Sequence, residues 1–228
     1  MVDESGDTPD GVHHLPLDVS FGGREMTLNP VAIETSRGLL LVDTGFPGTL
    51  DQLTERLQSA GFGLADIATV LVTHQDGDHA GTLATIRERI EPFVVAHEAA
   101  APVIDGRQTT RGPPDEERYP PARVDLELSG GATLATKAGP ARIIPTPGHT
   151  AGHVSVYLPE QRFLLAADAL TADADGLAGP RPDVTEDMNE ALTSVRRLAS
   201  LDIAQTLCYH GGLVDAGSER IAAIGEQG

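Results

Sequence analysis

Two histidines and two carboxylates stand within six residues in Thr73-His74-Gln75-Asp76-Gly77-Asp78-His79. Imidazole and carboxylate are ligands for zinc, iron and manganese. The segment follows Ile67–Val72, a short apolar run that reads as a strand buried on both faces. A loop leaving such a strand can aim alternate side chains at one point. The competing reading is a polar turn, with Asp78 as the N-cap of a helix starting at Ala80. That role uses one aspartate and leaves Asp76 and both histidines unexplained. The spacing therefore points to a metal site.

Three weaker features repeat the theme. Thr146-Pro147-Gly148-His149-Thr150-Ala151-Gly152-His153 offers two histidines in a glycine-rich turn between predicted strands. Ala166-Ala167-Asp168-Ala169 ends an apolar strand on a carboxylate, and Tyr209-His210-Gly211-Gly212 ends the last strand on a histidine. A lone histidine or aspartate at a strand end is commonly structural. Here every one lies at the end of an apolar strand, and that shared placement makes the pattern.

The elements that must position these residues follow from periodicity. Val31–Ile33 and Leu39–Val42 flank Ser36-Arg37-Gly38 and read as a hairpin. Leu50, Leu53 and Leu57 are at helical spacing within 47–60, and Gly61 stops the pattern. A second helix is expected over 80–90, a strand over 93–96, and strands near 123–128, 132–136, 141–145, 153–158 and 162–166. Leu192, Val195 and Leu198 mark a helix over 186–199; a strand over 206–209 and a helix over 218–224 close the chain. Residues 103–122 hold four prolines and no periodicity, so a long loop is expected there. Arg111, Arg118 and Tyr119 within it are candidates for substrate contact. Strands then helices recur in each half, which predicts sheets covered by helices, a layered α/β arrangement. The polar residues 1–12 read as a loose N-terminal tail, and 13–228 as a single domain.

The order of these motifs resembles the metallo-β-lactamase fold superfamily, which also includes glyoxalase II. The family pattern is H-x-H-x-D-H, a downstream Gly-His, an Asp, and a late His. The matching positions are His74, Asp76, Asp78, His79, His149, Asp168 and His210. Leu40-Leu41-Val42-Asp43-Thr44-Gly45 is similar to the family's early strand and turn. The similarity runs from about Val31 to Gly212. Asp76 departs from it, standing where most members have histidine.

The resemblance implies an αββα sandwich of the α/β (α+β layered) class and a dinuclear metal centre. It implies that His74, Asp76 and His149 hold one divalent ion, that Asp78, His79 and His210 hold another, and that Asp168 bridges them. A hydroxide between the ions would be the nucleophile, so no serine or cysteine is required. Asp78 is assigned a catalytic as well as a ligand role. Asp43 and His153 are expected to support the ligands through hydrogen bonds. Zinc is the first expectation; the harder carboxylate of Asp76 opens the site to iron or manganese. His13, His14 and His97 match no motif position, and Cys208, in an apolar run, reads as an inert buried thiol.

Composition narrows the partners. There are 34 acidic and 16 basic residues, a formal net charge of −18, and Lys137 is the only lysine. Such a surface repels phosphate backbones and anionic membranes, which excludes a basic nucleic-acid groove and predicts no membrane partner. Acidic, lysine-poor composition fits a halophilic protein. The single cysteine excludes an internal disulfide. The first 20 residues have no apolar signal core, so a cytoplasmic protein is expected. The expected activity is hydrolysis of an ester-like bond in a small-molecule substrate, a thioester, lactone or similar. The alternatives are an iron-dependent oxidoreductase on the same fold and a non-catalytic binding protein that retains it. True β-lactamase activity is less expected of a chain without a secretory signal. The sequence carries no reading of the oligomeric state.

Overall fold

The computed structural model describes residues 8–109 and 119–226. In chain order the strands are β1 (Val12–His14), β2 (Leu17–Phe21), β3 (Arg24–Leu28), β4 (Val31–Thr35), β5 (Gly38–Val42), β6 (Ile67–Val72), β7 (Phe93–His97), β8 (Leu126–Leu128), β9 (Ala132–Thr136), β10 (Gly139–Pro145), β11 (Val154–Leu158), β12 (Phe163–Ala167), β13 (Thr171–Asp173), β14 (Gly176–Ala178), β15 (Gln205–Cys208) and β16 (Gly212–Val214). The helices are α1 (Leu50–Ser59), α2 (Gly77–Ala80), α3 (Leu83–Ile90), α4 (Ala101–Ile104), α5 (Met188–Ala199) and α6 (Ser218–Gly225).

Two six-stranded sheets carry the molecule, ordered β1-β4-β5-β6-β7-β8 and β16-β15-β12-β11-β10-β9. Strands β5 to β8 run parallel, as do β12 and β15. Alternation along the strands then builds three apolar layers. Leu39 and Leu41 of β5 pack toward Leu53 and Leu57 of α1 and Ile86 of α3. Leu40 and Val42 face the other way, onto Ile143, Val156, Phe163 and Leu165 of the second sheet. In β12, Leu164 and Ala166 turn outward onto Val195, Leu198, Ile221 and Ile224 of α5 and α6. The order is helix, sheet, sheet, helix, the αββα sandwich. Full burial of each Leu-sized side chain contributes about 1.5–3 kcal/mol. The central strands β5, β11 and β12 are buried on both faces, so their ends form a firm platform.

Several boundaries differ from expectation. Val12 is 3% exposed and pairs with Ile33, and Gly11 accepts from the Glu34 N–H, so ordered chain reaches back into the expected tail. The helix expected over 80–90 is two helices that part at Gly81 and Thr82. A Cβ on Gly81 would lie 2.2 Å from the Gly77 carbonyl and 2.3 Å from Pro47, a close approach only glycine permits. The residue at the cap position of α2 is Asp76, so the capping role considered for Asp78 falls away. The loop expected over 103–122 begins as α4, and Arg111 and Arg118 lie outside the described residues. Among the described residues no helix is long and apolar enough to cross a membrane.

Candidate metal centre

One edge of the sandwich collects the chemistry. Asp43 follows β5, the 73–79 segment follows β6, Asp168 follows β12, and His210 follows β15. His149 lies in the turn between β10 and β11. The Val154 N–H donates to the Thr73 carbonyl at 3.0 Å, which ties the sheets together at this edge.

The structure brings all seven motif residues together. The ligand atoms of His74, His149 and Asp168 lie within 4.8 Å of one another, as do those of Asp78, His79 and His210. Asp168 faces both groups: Oδ1 is 3.2 Å from His79 Nε2, and Oδ2 is 3.4 Å from His210 Nε2 and 3.7 Å from His149 Nε2. Asp76 Oδ2 stands 3.2 Å from His149 Nε2 and 3.6 Å from His74 Nε2, on the side of the first group. Asp78 Oδ2 is 3.1 Å from His210 Nε2 and 3.7 Å from His79 Nε2.

Two supports fix the ring orientations. Asp43 accepts from the Thr73 N–H at 2.8 Å, the Thr73 hydroxyl at 2.7 Å and His79 Nδ1 at 2.8 Å. With Nδ1 the donor to Asp43, Nε2 is the nitrogen that His79 turns toward the centre. The second support is His153. Ser155 Oγ donates to the Ala166 carbonyl at 3.0 Å, so in its 2.9 Å contact with Thr146 Oγ1 it accepts. Thr146 therefore accepts from His153 Nδ1 at 2.8 Å, while the Asp168 N–H donates to His153 Nε2 at 3.0 Å. Both ring nitrogens are occupied, and His153 braces the Asp168 backbone as a neutral imidazole. Ala167 has a φ of +47° and marks a register shift in β12. That left-handed residue costs about 1–2 kcal/mol and swings Asp168 off the strand.

The electrostatics of this cluster reflect its carboxylates. Burial alone would strip the His79 proton, but Asp43, Asp78 and Asp168 hold its pKa well above the usual range. Burial is overridden at His210 too, where Asp168 and Asp78 raise it to about 9. Burial opposes charge on Asp168, yet His79 and His210 hold it well below the carboxylate range. His74 is lowered by burial and by His79. A cation would replace the extra protons on His79 and His210, so its affinity rises with pH.

The donor set fits a metal. Nε2 of His74, Nε2 of His79 and Oδ1 of Asp168 are buried and make no hydrogen bond of good geometry, their nearest polar approaches being the 3.6 Å and 3.2 Å ion-pair contacts above. Such atoms are costly unless a cation satisfies them. Three imidazoles and two carboxylates already span the two groups, before Asp76 and His210 are added.

Other residues fall away from the centre. His13 pairs with Glu34, His14 bonds Asn29, and His97 accepts from the Ala99 N–H. Cys208 is fully buried, and burial pushes its thiol pKa up. Tyr119 is 9% exposed and donates to the Gln75 carbonyl at 2.6 Å, so it backs the segment that carries Asp76. Sequence reasoning missed Thr73 as a hub and Tyr209 and Asn29 as supports; their side chains carry no spacing signal.

Comparison with known proteins agrees with this geometry. Residues 26–210 match the family model of the metallo-beta-lactamase superfamily. A "Beta-lactamase-like protein 2 homolog" of Caenorhabditis elegans is 24% identical over 193 residues, covering 85% of this chain and 59% of its own. A hydroxyacylglutathione hydrolase of Rhodopseudomonas palustris (strain BisB5) is 34% identical over 119 residues, 52% of this chain and 38% of its own. The chain thus spans about 40–60% of the length of these relatives. The solved structure of a metallo-beta-lactamase family protein from Thermus thermophilus superposes with a TM-score of 0.76 at 24% identity, covering 95% of this chain and 77% of that one, a likeness of fold. With the family model spanning most of its length, the chain belongs to the metallo-beta-lactamase superfamily, a metal-dependent family of hydrolase type.

Proposed function

We propose that the chain is a cytoplasmic metallo-hydrolase that cleaves an ester-like bond, in a thioester, lactone or similar small molecule, with two divalent cations, zinc first. The observation that carries this reading is the buried trio of His74 Nε2, His79 Nε2 and Asp168 Oδ1, drawn from two ligand groups and making no hydrogen bond of good geometry. Bound cations would supply Lewis acidity, polarising the scissile carbonyl and easing deprotonation of the attacking water. His74, Asp76 and His149 would hold one cation, Asp78, His79 and His210 the other, and Asp168 would reach both. Asp43 fixes the His79 tautomer, and His153 holds the Asp168 backbone in place. Asp78 is 18% exposed, between Asp168 at 8% and Asp76 at 32%. In this reading it passes a proton to the leaving group as well as binding.

Asp76 favours a second reading, an iron-dependent oxidoreductase, because carboxylate suits a harder ion. Metal analysis with a thioester and lactone screen separates these. Close to two zinc ions per chain, with hydrolysis lost on chelation and restored on reloading, supports the hydrolase. Iron with oxygen consumption and no hydrolysis favours the second reading. No bound metal and no turnover returns the chain to a binding role. His79→Ala should lose one cation and most hydrolysis; full activity in that variant removes the two-cation mechanism.

A further inference from the structure

One side chain touches every member of the Asp78, His79 and His210 group. The Tyr209 ring lies over the His79 imidazole, with centroids 3.8 Å apart and planes 31° from parallel. Its hydroxyl donates to the Asp78 backbone carbonyl at 2.5 Å. It precedes His210 in the chain, and the two rings meet edge-on at 5.4 Å and 89°. Tyr209 is itself held. It is 2% exposed, its N–H donates to the Ala167 carbonyl at 3.4 Å, and its own carbonyl accepts from Asn29 Nδ2 at 2.7 Å. Asn29 Oδ1 is fixed in turn by His14 Nε2 at 2.6 Å.

These contacts matter because the group is assembled from two layers. Asp78 and His79 follow β6 in the first sheet, and His210 follows β15 in the second. Ligands drawn from two layers must lose conformational freedom when a cation binds, unless the fold has already gathered them. Tyr209 springs from the second sheet and closes on the segment from the first. Its hydroxyl bond sets the height of the Asp78 backbone, and its ring blocks rotation of the His79 imidazole.

We propose that Tyr209 is a positioning residue: it gathers Asp78, His79 and His210 to cation-binding separation before a cation arrives, and so sets the affinity of that half of the centre. This rests on the two-cation reading. A role in packing alone would lower the stability of the cation-free protein and leave both binding steps in the same ratio.

The test is a titration of the cation-free full chain with Zn2+ by calorimetry, with Co2+ absorption as a second readout. The step abolished by His210→Ala identifies this half of the centre. Tyr209→Phe keeps the stacked ring and removes the hydroxyl; that step should weaken about tenfold while the other stays unchanged. Tyr209→Leu removes both contacts and should weaken it about a hundredfold. Should the Leu variant fail to fold, the Phe variant decides alone. Two wild-type steps with the Phe variant within twofold of wild type overturn the proposal. Equal weakening of both steps marks general packing and overturns it too. A single step in the wild-type protein overturns the two-cation reading itself, and the positioning role with it.

Discussion

Asp43 Oδ2 accepts the His79 Nδ1 hydrogen bond at 2.8 Å while the same carboxylate takes the N–H and hydroxyl of Thr73. One buried group therefore orients a ligand and closes the loop that carries it. Asp43 has a φ of +63°, in the left-handed region that asparagine also tolerates. Asp43→Asn thus keeps the backbone, removes the charge and puts an amide NH2 donor where one carboxylate oxygen accepts. The expected result is a 10- to 100-fold loss of cation affinity, roughly the range for such supporting groups. A destabilisation of about 1–3 kcal/mol should accompany it, from the donor left unpaired. Wild-type affinity in this variant, measured against a chelating competitor, would show that His79 keeps its orientation without the carboxylate.

How much of this was legible in the sequence depended on length and period. Strands β6, β7, β11 and β12 and helices α1 and α5 carry runs of apolar residues long enough to set a period, and each stands close to where the pattern puts it. Strands β1, β13, β14 and β16 are three residues each, too short for alternation to register. The close packing of Gly81 against Pro47 is invisible because Pro47 lies far away in sequence. The motif residues were legible because a metal needs particular side-chain types. Thr73 and Tyr209 were not, since a hydroxyl that braces a ligand looks like any other until the fold supplies its partner.

In the proposed two-cation centre Asp76 would set the charge. Three carboxylates, Asp76, Asp78 and Asp168, would leave two divalent cations with one net positive charge, where histidine at 76 would leave two. The extra anion would hold the cations more firmly and weaken their pull on an attacking water, so activity should favour alkaline pH. Asp76→His should keep two cations, shift preference toward zinc, and move the acid limb of the pH–rate profile to lower pH. An unchanged metal preference together with an unchanged profile would mean that Asp76 is no ligand, despite its 3.2 Å approach to His149.

The net charge of −18 makes salt a variable of stability. At about 0.1 M salt, charges repel across roughly 10 Å; at about 1 M the range shrinks to roughly 3 Å. The melting temperature should rise with KCl through the first few tenths molar as repulsion is screened. A continued rise into molar KCl would reflect stronger apolar burial or ion binding and would fit a halophilic protein. A flat or falling curve in differential scanning calorimetry removes that reading.

Asp125 offers a stability test far from the metal centre. Its carboxylate takes both guanidinium nitrogens of Arg87, at 2.6 and 3.2 Å, and the Val94 N–H at 2.9 Å, where β8 meets β7. The Arg87 bonds, helped by Val94 and Arg123 against the cost of burial, hold its pKa down to about 2. A depressed carboxylate pKa stabilises the fold above the unfolded value of about 4, and that stabilisation is lost as pH falls toward about 2. Asp125→Asn should therefore cost about 1–2 kcal/mol at neutral pH. The gap to wild type should stay level from about pH 8 to 5 and close as pH approaches 2, because protonated Asp125 and the amide are then alike in charge. Removing one negative charge from an acidic surface also relieves general repulsion, which works in the opposite direction. Running the urea titrations in about 1 M KCl screens that contribution and leaves the Arg87 pair. A gap that persists unchanged at the acid end would show that the amide fails through geometry, and the ionised pair would not be what ties β8 to the sheet.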